Sequence, residues 1–197
     1  MTGTAAAAMA VSPADGVVHL VDYSDNDGAK STVILTRAIG DYDEAVSVNP
    51  DGSTNPEHNS ELNLVLTHGW LRLDIADLDE QLVAALSRVS ANSGTCSRSV
   101  RMTDTAPIVA GSCTCAYRGL SGGFQLTVSI DGVDAKPTCD GTGAYPSQAV
   151  VITGPGTVSL SQPALATWPA HSPCSGPRDH ETGIARLCRG SGPGAAR

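Results

Sequence analysis

The chain has 197 residues, 41% of them hydrophobic and only 4% aromatic, enough for one compact domain and too few for two full-sized ones. Its formal net charge is −8, and only two of its twelve basic residues are lysines, which argues against a surface for nucleic acid or anionic membrane. No apolar run approaches the roughly 18 residues that span a bilayer, and Ser and Thr, 37 together, mixed with Val, Leu and Gly, favour a β-rich domain joined by turns.

Residues 1–14 read as a leader. The apolar stretch from Ala5 to Val11, followed by Ser12-Pro13-Ala14, suits a signal-peptide remnant, but no Lys or Arg precedes Lys30, so a disordered Ala-rich leader is the alternative. Residues 17–23 and 31–38 alternate like strands around the turn signal Asp25-Asn26-Asp27-Gly28. In the first of these, His19 is expected to face inward with Val17 and Val21. Residues 42–48 form a third strand before Asn49-Pro50-Asp51-Gly52. Next, Leu62, Leu64 and Leu66 alternate through 61–67, and His68-Gly69 turns the chain into 70–75, where Leu71, Leu73 and Ile75 take one face. Leu78, Leu82, Leu86 and Val89 then recur at helical spacing behind Asp74, Asp77, Asp79 and Glu80, which predicts one amphipathic helix over 77–89. Strands return at 97–103 and at 123–131, where Phe124, Leu126, Val128 and Ile130 share a face. Two short ones, 148–153 and 156–161, are expected around Gly154-Pro155.

This pattern predicts an all-β fold: an antiparallel eight-stranded barrel over 15–162, with a β-sandwich as the alternative. Residues 163–197 hold five of the twelve prolines and carry +2 against −10 for residues 1–162, which predicts a disordered tail.

Of the chemical motifs, the acidic turn at 22–28 fails as an EF-hand, because Tyr23 and Ile34 stand where ligands are required. The six cysteines lack the paired CxxC spacing of a zinc site, so no metal is expected. Their even number suits disulfides and an extracellular compartment. Cys96 and Cys139, near strand boundaries, are the candidate pair, and Cys113 and Cys115 are expected as small packing residues. Asp41, Asp43 and Glu44 read as a solvated strand end. Arg118 and Arg37 are the basic residues expected near a barrel mouth.

Residues 111–124 read Gly-Ser-Cys-Thr-Cys-Ala-Tyr-Arg-Gly-Leu-Ser-Gly-Gly-Phe. This run resembles the G-T-G-x-[FY]-x-G-x-x-G signature of the dirigent and allene oxide cyclase-like barrels. Thr114, Tyr117, Gly119 and Gly122 match it, while Cys113 and Cys115 stand where the pattern has glycines. The resemblance implies an eight-stranded barrel with an apolar central cavity, acting on or steering small hydrophobic molecules without a cofactor. Tyr117 would plug the core, and no catalytic residue is carried over. Three functions are compatible: a barrel that binds a small apolar ligand, a cofactor-free cyclase or isomerase using His19, Tyr117 or an acid, and a filled structural or interaction domain. His19, Tyr117, Arg118 and Phe124 are the residues expected at a ligand.

Overall fold

Alternation of buried and exposed residues, clearest over residues 17–25, shows which way the strands face in the computed structural model, which describes residues 13–25, 30–54, 58–135, 139 and 147–161. The expected leader up to residue 12, the turn tip at 26–29 and the tail at 163–197 lie outside the described residues. In chain order the elements are β1 (Gly16–Asp25), β2 (Lys30–Arg37), β3 (Asp41–Val48), β4 (Glu61–Leu66), β5 (Gly69–Asp74), α1 (Ala76–Leu86), β6 (Ser97–Pro107), β7 (Leu120–Val133) and β8 (Ser147–Leu160), with a single 3-10 turn at Cys115–Tyr117. The eight strands form one sheet in the order β5-β4-β3-β2-β1-β8-β7-β6, and every pairing is antiparallel. The sheet curls into a half-barrel, so the class is all-β, with one sheet rather than the two of a sandwich.

The concave face is the core. Leu20, Leu35, Leu64, Leu71 and Leu126 are each at most 1% exposed, and a fully buried side chain of this size contributes about 1.5–3 kcal/mol. On β1 the inward residues are Val18, Leu20, Asp22 and Ser24, while Val17 and Val21 are 48% and 37% exposed. His19 therefore sits on the outer face, opposite to the expected orientation. Both faces of this strand are apolar, and the partners decide between them: Leu20 pairs with Leu35 and Asp22 with Val33, residues that have no polar alternative inside.

The two short strands expected at 148–153 and 156–161 are a single strand, β8. Gly154-Pro155 is not a turn but a smooth passage, in register with β1 through His19↔Pro155 and Leu20↔Gly154. Proline has no N–H to give, and the β7 ladder lapses opposite it at Gln125 and Leu126. Glycine is needed beside it, because a Cβ on Gly154 would lie 1.9 Å from the Gln125 carbonyl oxygen. Gly154→Ala is expected to cost about 2 kcal/mol or more by prising β7 from β8, read as a fall in the urea midpoint. A change under about 0.5 kcal/mol would mean that the strands can part without loss.

β5 and β6 do not pair, and Leu73 makes only an isolated bridge to Ile108, just past the end of β6. The free edge of β5 is covered instead by the chain that follows β6. Val109 N–H donates to Arg72 O at 2.9 Å, Thr114 N–H to Trp70 O at 3.0 Å and Ala116 N–H to His68 O at 3.1 Å. In return, Trp70 and Arg72 N–H donate to the hydroxyls of Thr114 and Ser112, both at 3.1 Å. The 109–116 segment is thus a strap that satisfies an edge which would otherwise be open to aggregation. Within it Cys115 takes φ 51°, the left-handed region that glycine enters freely, while Cys113 takes no positive φ.

α1 ends three residues earlier than the periodicity predicts and starts one residue earlier. Ser87 caps its end by donating its hydroxyl to Ala84 O at 2.9 Å. Its start has Asp77 and Asp79 in the first turn, and Asp74 accepts the Ala76 N–H at 3.1 Å. Leu78 is its one buried residue, and with Leu82 it covers one end of the half-barrel. Among the described residues no helix is long and apolar enough to cross a bilayer.

Candidate functional site

Four carboxyl groups are buried among the described residues: Glu61 and Asp134 face arginines, Arg72 at 2.8 Å and Arg98 at 3.4 Å, while Asp22 and Asp41, each 3% exposed, do not. β4 runs between their surroundings: Leu62 at its start lines a cavity with Asp22, and Thr67, just past its end, bonds Asp41. The two centres differ in what their environment does to the charge.

Asp41 is saturated. The Tyr42 N–H reaches one carboxylate oxygen at 2.8 Å, where the Thr67 hydroxyl also donates. The other oxygen accepts the His68 N–H and meets its Nδ1, both at 3.1 Å, and takes the Tyr117 hydroxyl. Burial alone would raise the pKa, but the hydrogen bonds from Thr67, Tyr117, Tyr42 and His68 outweigh it and hold the carboxyl down to about 2. The Tyr117 phenol is pushed up by burial and by donating to this carboxylate. Thr67 and Asp41 both contact the same imidazole nitrogen of His68, so Asp, His and Thr form no relay toward a nucleophile. Asp41 fastens Tyr117, the residue that follows the strap, to β3 and the β4–β5 turn.

Asp22 is not saturated. Burial pushes its carboxyl up to about 6, against hydrogen bonds from Ser31 and from the backbone of Tyr23 that favour the charged form. Its Oδ1 has no partner. Asp22 lines a partly enclosed cavity of about 110 Å³. The cavity walls are Leu62, Ile75, Leu78, Leu82 and residues of β7 and β8, and its polar lining is Asp22, Ser24, Ser31, Ser47 and, from α1, Asp79. Burial raises the Asp79 carboxyl, while His58, its Nδ1 at 3.4 Å, pulls it back. A larger and more open depression, of about 440 Å³, lies beside Ser97 and Arg98, and Val133 and Ala149 are the only apolar side chains that line it.

The expected site residues do not converge on this cavity. Tyr117 is 1% exposed and Phe124 3%, both in the filled part of the core, and neither lines the cavity. Phe124 packs where a Cβ on Gly156 would stand, 2.4 Å from its ring. His19 is on the outer face and Arg118 is exposed. Asp41, expected in solvent, is buried, because it must meet Tyr117. Cys96 and Cys139 form a disulfide, with Cα atoms 4.9 Å apart. Cys113 is a free, half-buried thiol whose burial raises its pKa.

Protein-family models, curated proteins and solved structures give no match to this chain. The functional reading rests on the cavity and its chemistry. Asp22, Ser24, Ser31 and Ser47 were missed from sequence, although one signal was present: the pattern Val18-x-Leu20-x-Asp22-x-Ser24 puts an acid in line with two core residues.

Proposed function

We propose that this half-barrel binds a small, mainly apolar molecule, without a cofactor, in the cavity between α1 and the concave face. The observation that carries this reading is a space walled by Leu, Ile and Val around a carboxyl group that is buried and incompletely bonded. Apolar pockets with a few convergent polar groups and a perturbed acid are the usual form of a ligand site. The likeness of residues 111–124 to the dirigent and allene oxide cyclase-like barrels points the same way.

Size limits the ligand. A dry apolar cavity of about 150 Å³ takes a benzene, so about 110 Å³ offers room for roughly four or five non-hydrogen atoms, against about 300–1,000 Å³ for pockets that take drug-sized molecules. A lipid or polycyclic carrier is not the fit. The half holding Tyr117 and Phe124 is filled, as a small barrel can be, and the half under α1 is not. The Cys96–Cys139 disulfide supports an oxidising, extracellular setting for this activity.

The test is an amide-resolved NMR titration of the full chain with neutral probes of fitting size, isobutanol and isopentane. Shifts are expected in α1, β1, β7 and β8, with millimolar affinity typical of so few atoms. Leu82→Trp, which fills the cavity from the helix side, is expected to abolish them. No shift with either probe, or shifts unaffected by Leu82→Trp, would overturn the reading.

A further inference from the structure

The polar atoms of this cavity are nearly all acceptors. Ser24 donates its hydroxyl hydrogen to the carbonyls of Lys30, at 3.3 Å, and Asp25, at 3.4 Å. Ser31 has its single hydrogen committed to Ala45 O, at 3.3 Å, or to Asp22. Both side chains are left with oxygen lone pairs to offer. Asp22 and Asp79 add carboxyl oxygens, one of which, Asp22 Oδ1, is buried without a partner. Among the lining residues Ser47 alone has a hydroxyl hydrogen with no protein partner, and no lining residue is basic. Asp79 has His58 behind it, but Asp22 has no basic neighbour in the lining, which leaves its charge without a counter-ion inside apolar walls, where such a charge acts strongly.

We propose that the cavity selects a small alkylammonium ion: a primary amine on a short branched alkyl group, its three N–H donors turned to Asp22 and the neighbouring serines and its alkyl part against Leu62, Leu126 and Ile152. An ammonium brings three donors and no acceptor, which complements a lining of acceptors. It also supplies the positive charge that a buried carboxylate otherwise lacks. An alcohol of the same shape offers one donor and no charge. A carboxylic acid would bring a second negative charge beside Asp22. This inference rests on the cavity being a binding site and adds the chemical class of what enters it.

The groups that set its pH dependence are few. Asp22 comes from β1, and Asp79 from α1 with His58 behind it. The serines come from β1, β2 and β3. β4, β7 and β8 present only Leu, Val and Ile, as does the Ile75 link between β5 and α1. With Asp22 titrating near 6, an ammonium should bind better as the pH rises through that value. A neutral ligand that accepts a hydrogen bond from the protonated carboxyl should do the reverse.

The experiment is the same NMR titration on the full chain with isobutylamine against isobutanol, at about pH 5 and about pH 7.5. At the higher pH the amine is expected to bind at least about ten-fold more tightly than the alcohol, as a hydrogen-bonded charge pair does over a neutral bond. Lowering the pH is expected to erase about ten-fold of that advantage. Asp22→Asn should bring the two affinities within about three-fold while leaving the alcohol bound, and Asp79→Asn, at the rim, should have the same effect more weakly. Equal affinities in the unmodified protein, or an amine preference that survives Asp22→Asn, would overturn the cation assignment with the cavity reading intact. Failure of both probes to bind would overturn both.

Discussion

Asp41→Ala is expected to lower the unfolding free energy at neutral pH by about 3–5 kcal/mol. The carboxylate holds the hydroxyls of Thr67 and Tyr117 and the N–H groups of Tyr42 and His68. Removing it strands the Tyr117 hydroxyl in the core and unfastens the strap that covers the β5 edge. For a domain of this size the loss corresponds to a fall in Tm of about 6–20 °C. Tyr117→Phe, which deletes one partner and leaves the others in place, should cost about 1.5–3 kcal/mol. The sign of the pH dependence follows from the lowered pKa. With the folded value near 2 against an ordinary 3.8, the Asp41 stabilisation is fully present above about pH 4 and is lost as the pH falls through 2. Chemical denaturation of the variant and the unmodified chain between about pH 2 and 7 checks both points. A difference below about 1 kcal/mol at neutral pH would show that the strap is held by its backbone bonds alone.

The strands, the helix and the antiparallel class were legible because they depend on periodicity, and Leu62, Leu64 and Leu66 or Phe124, Leu126 and Val128 alternate without ambiguity. β1 was legible as a strand but not in its facing. Val17, His19, Val21 and Tyr23 are as apolar a set as Val18, Leu20, Asp22 and Ser24, and only pairing with Val33 and Leu35 turns the acid inward. The candidate site depended on that facing, so an error of one residue moved it from Asp22 to His19. The continuity of β8 was hidden for a different reason. Gly154-Pro155 has the local signature of a turn, and what keeps the strand running is non-local: β1 pairs across both residues and β7 presses on the glycine from the other side. The segment 111–124 drew notice as a motif. Its role as a strap emerges only when β5 lies beside it, with His68, Trp70 and Arg72 in reach of its amides and hydroxyls.

Asp22→Asn is expected to act in the opposite direction to Asp41→Ala and to stabilise the protein at neutral pH by about 1–3 kcal/mol. The folded pKa of Asp22 is raised, from 3.8 to about 6, so the fold favours its protonated form. Its contribution is therefore fully present below about pH 4 and is lost as the pH climbs through 6, to a limit of about 3 kcal/mol for a shift of this size. An amide carries no charge to desolvate, so the variant should lose this slope, and the two stability curves should coincide near pH 4 and separate by pH 7. A constant offset, or an unmodified protein that is the more stable at pH 7, would mean that Asp22 is compensated in the folded state. The retained acid has a physical counterpart in the ligand proposed for it. An ammonium bound beside Asp22 supplies the missing partner, so isobutylamine near neutral pH should raise the stability of the unmodified chain in proportion to its occupancy and leave Asp22→Asn almost unmoved. A carboxylate that weakens the empty fold and is relieved by a cation is the behaviour of a binding group, since a purely structural acid would be paired within the protein, as Asp41 is.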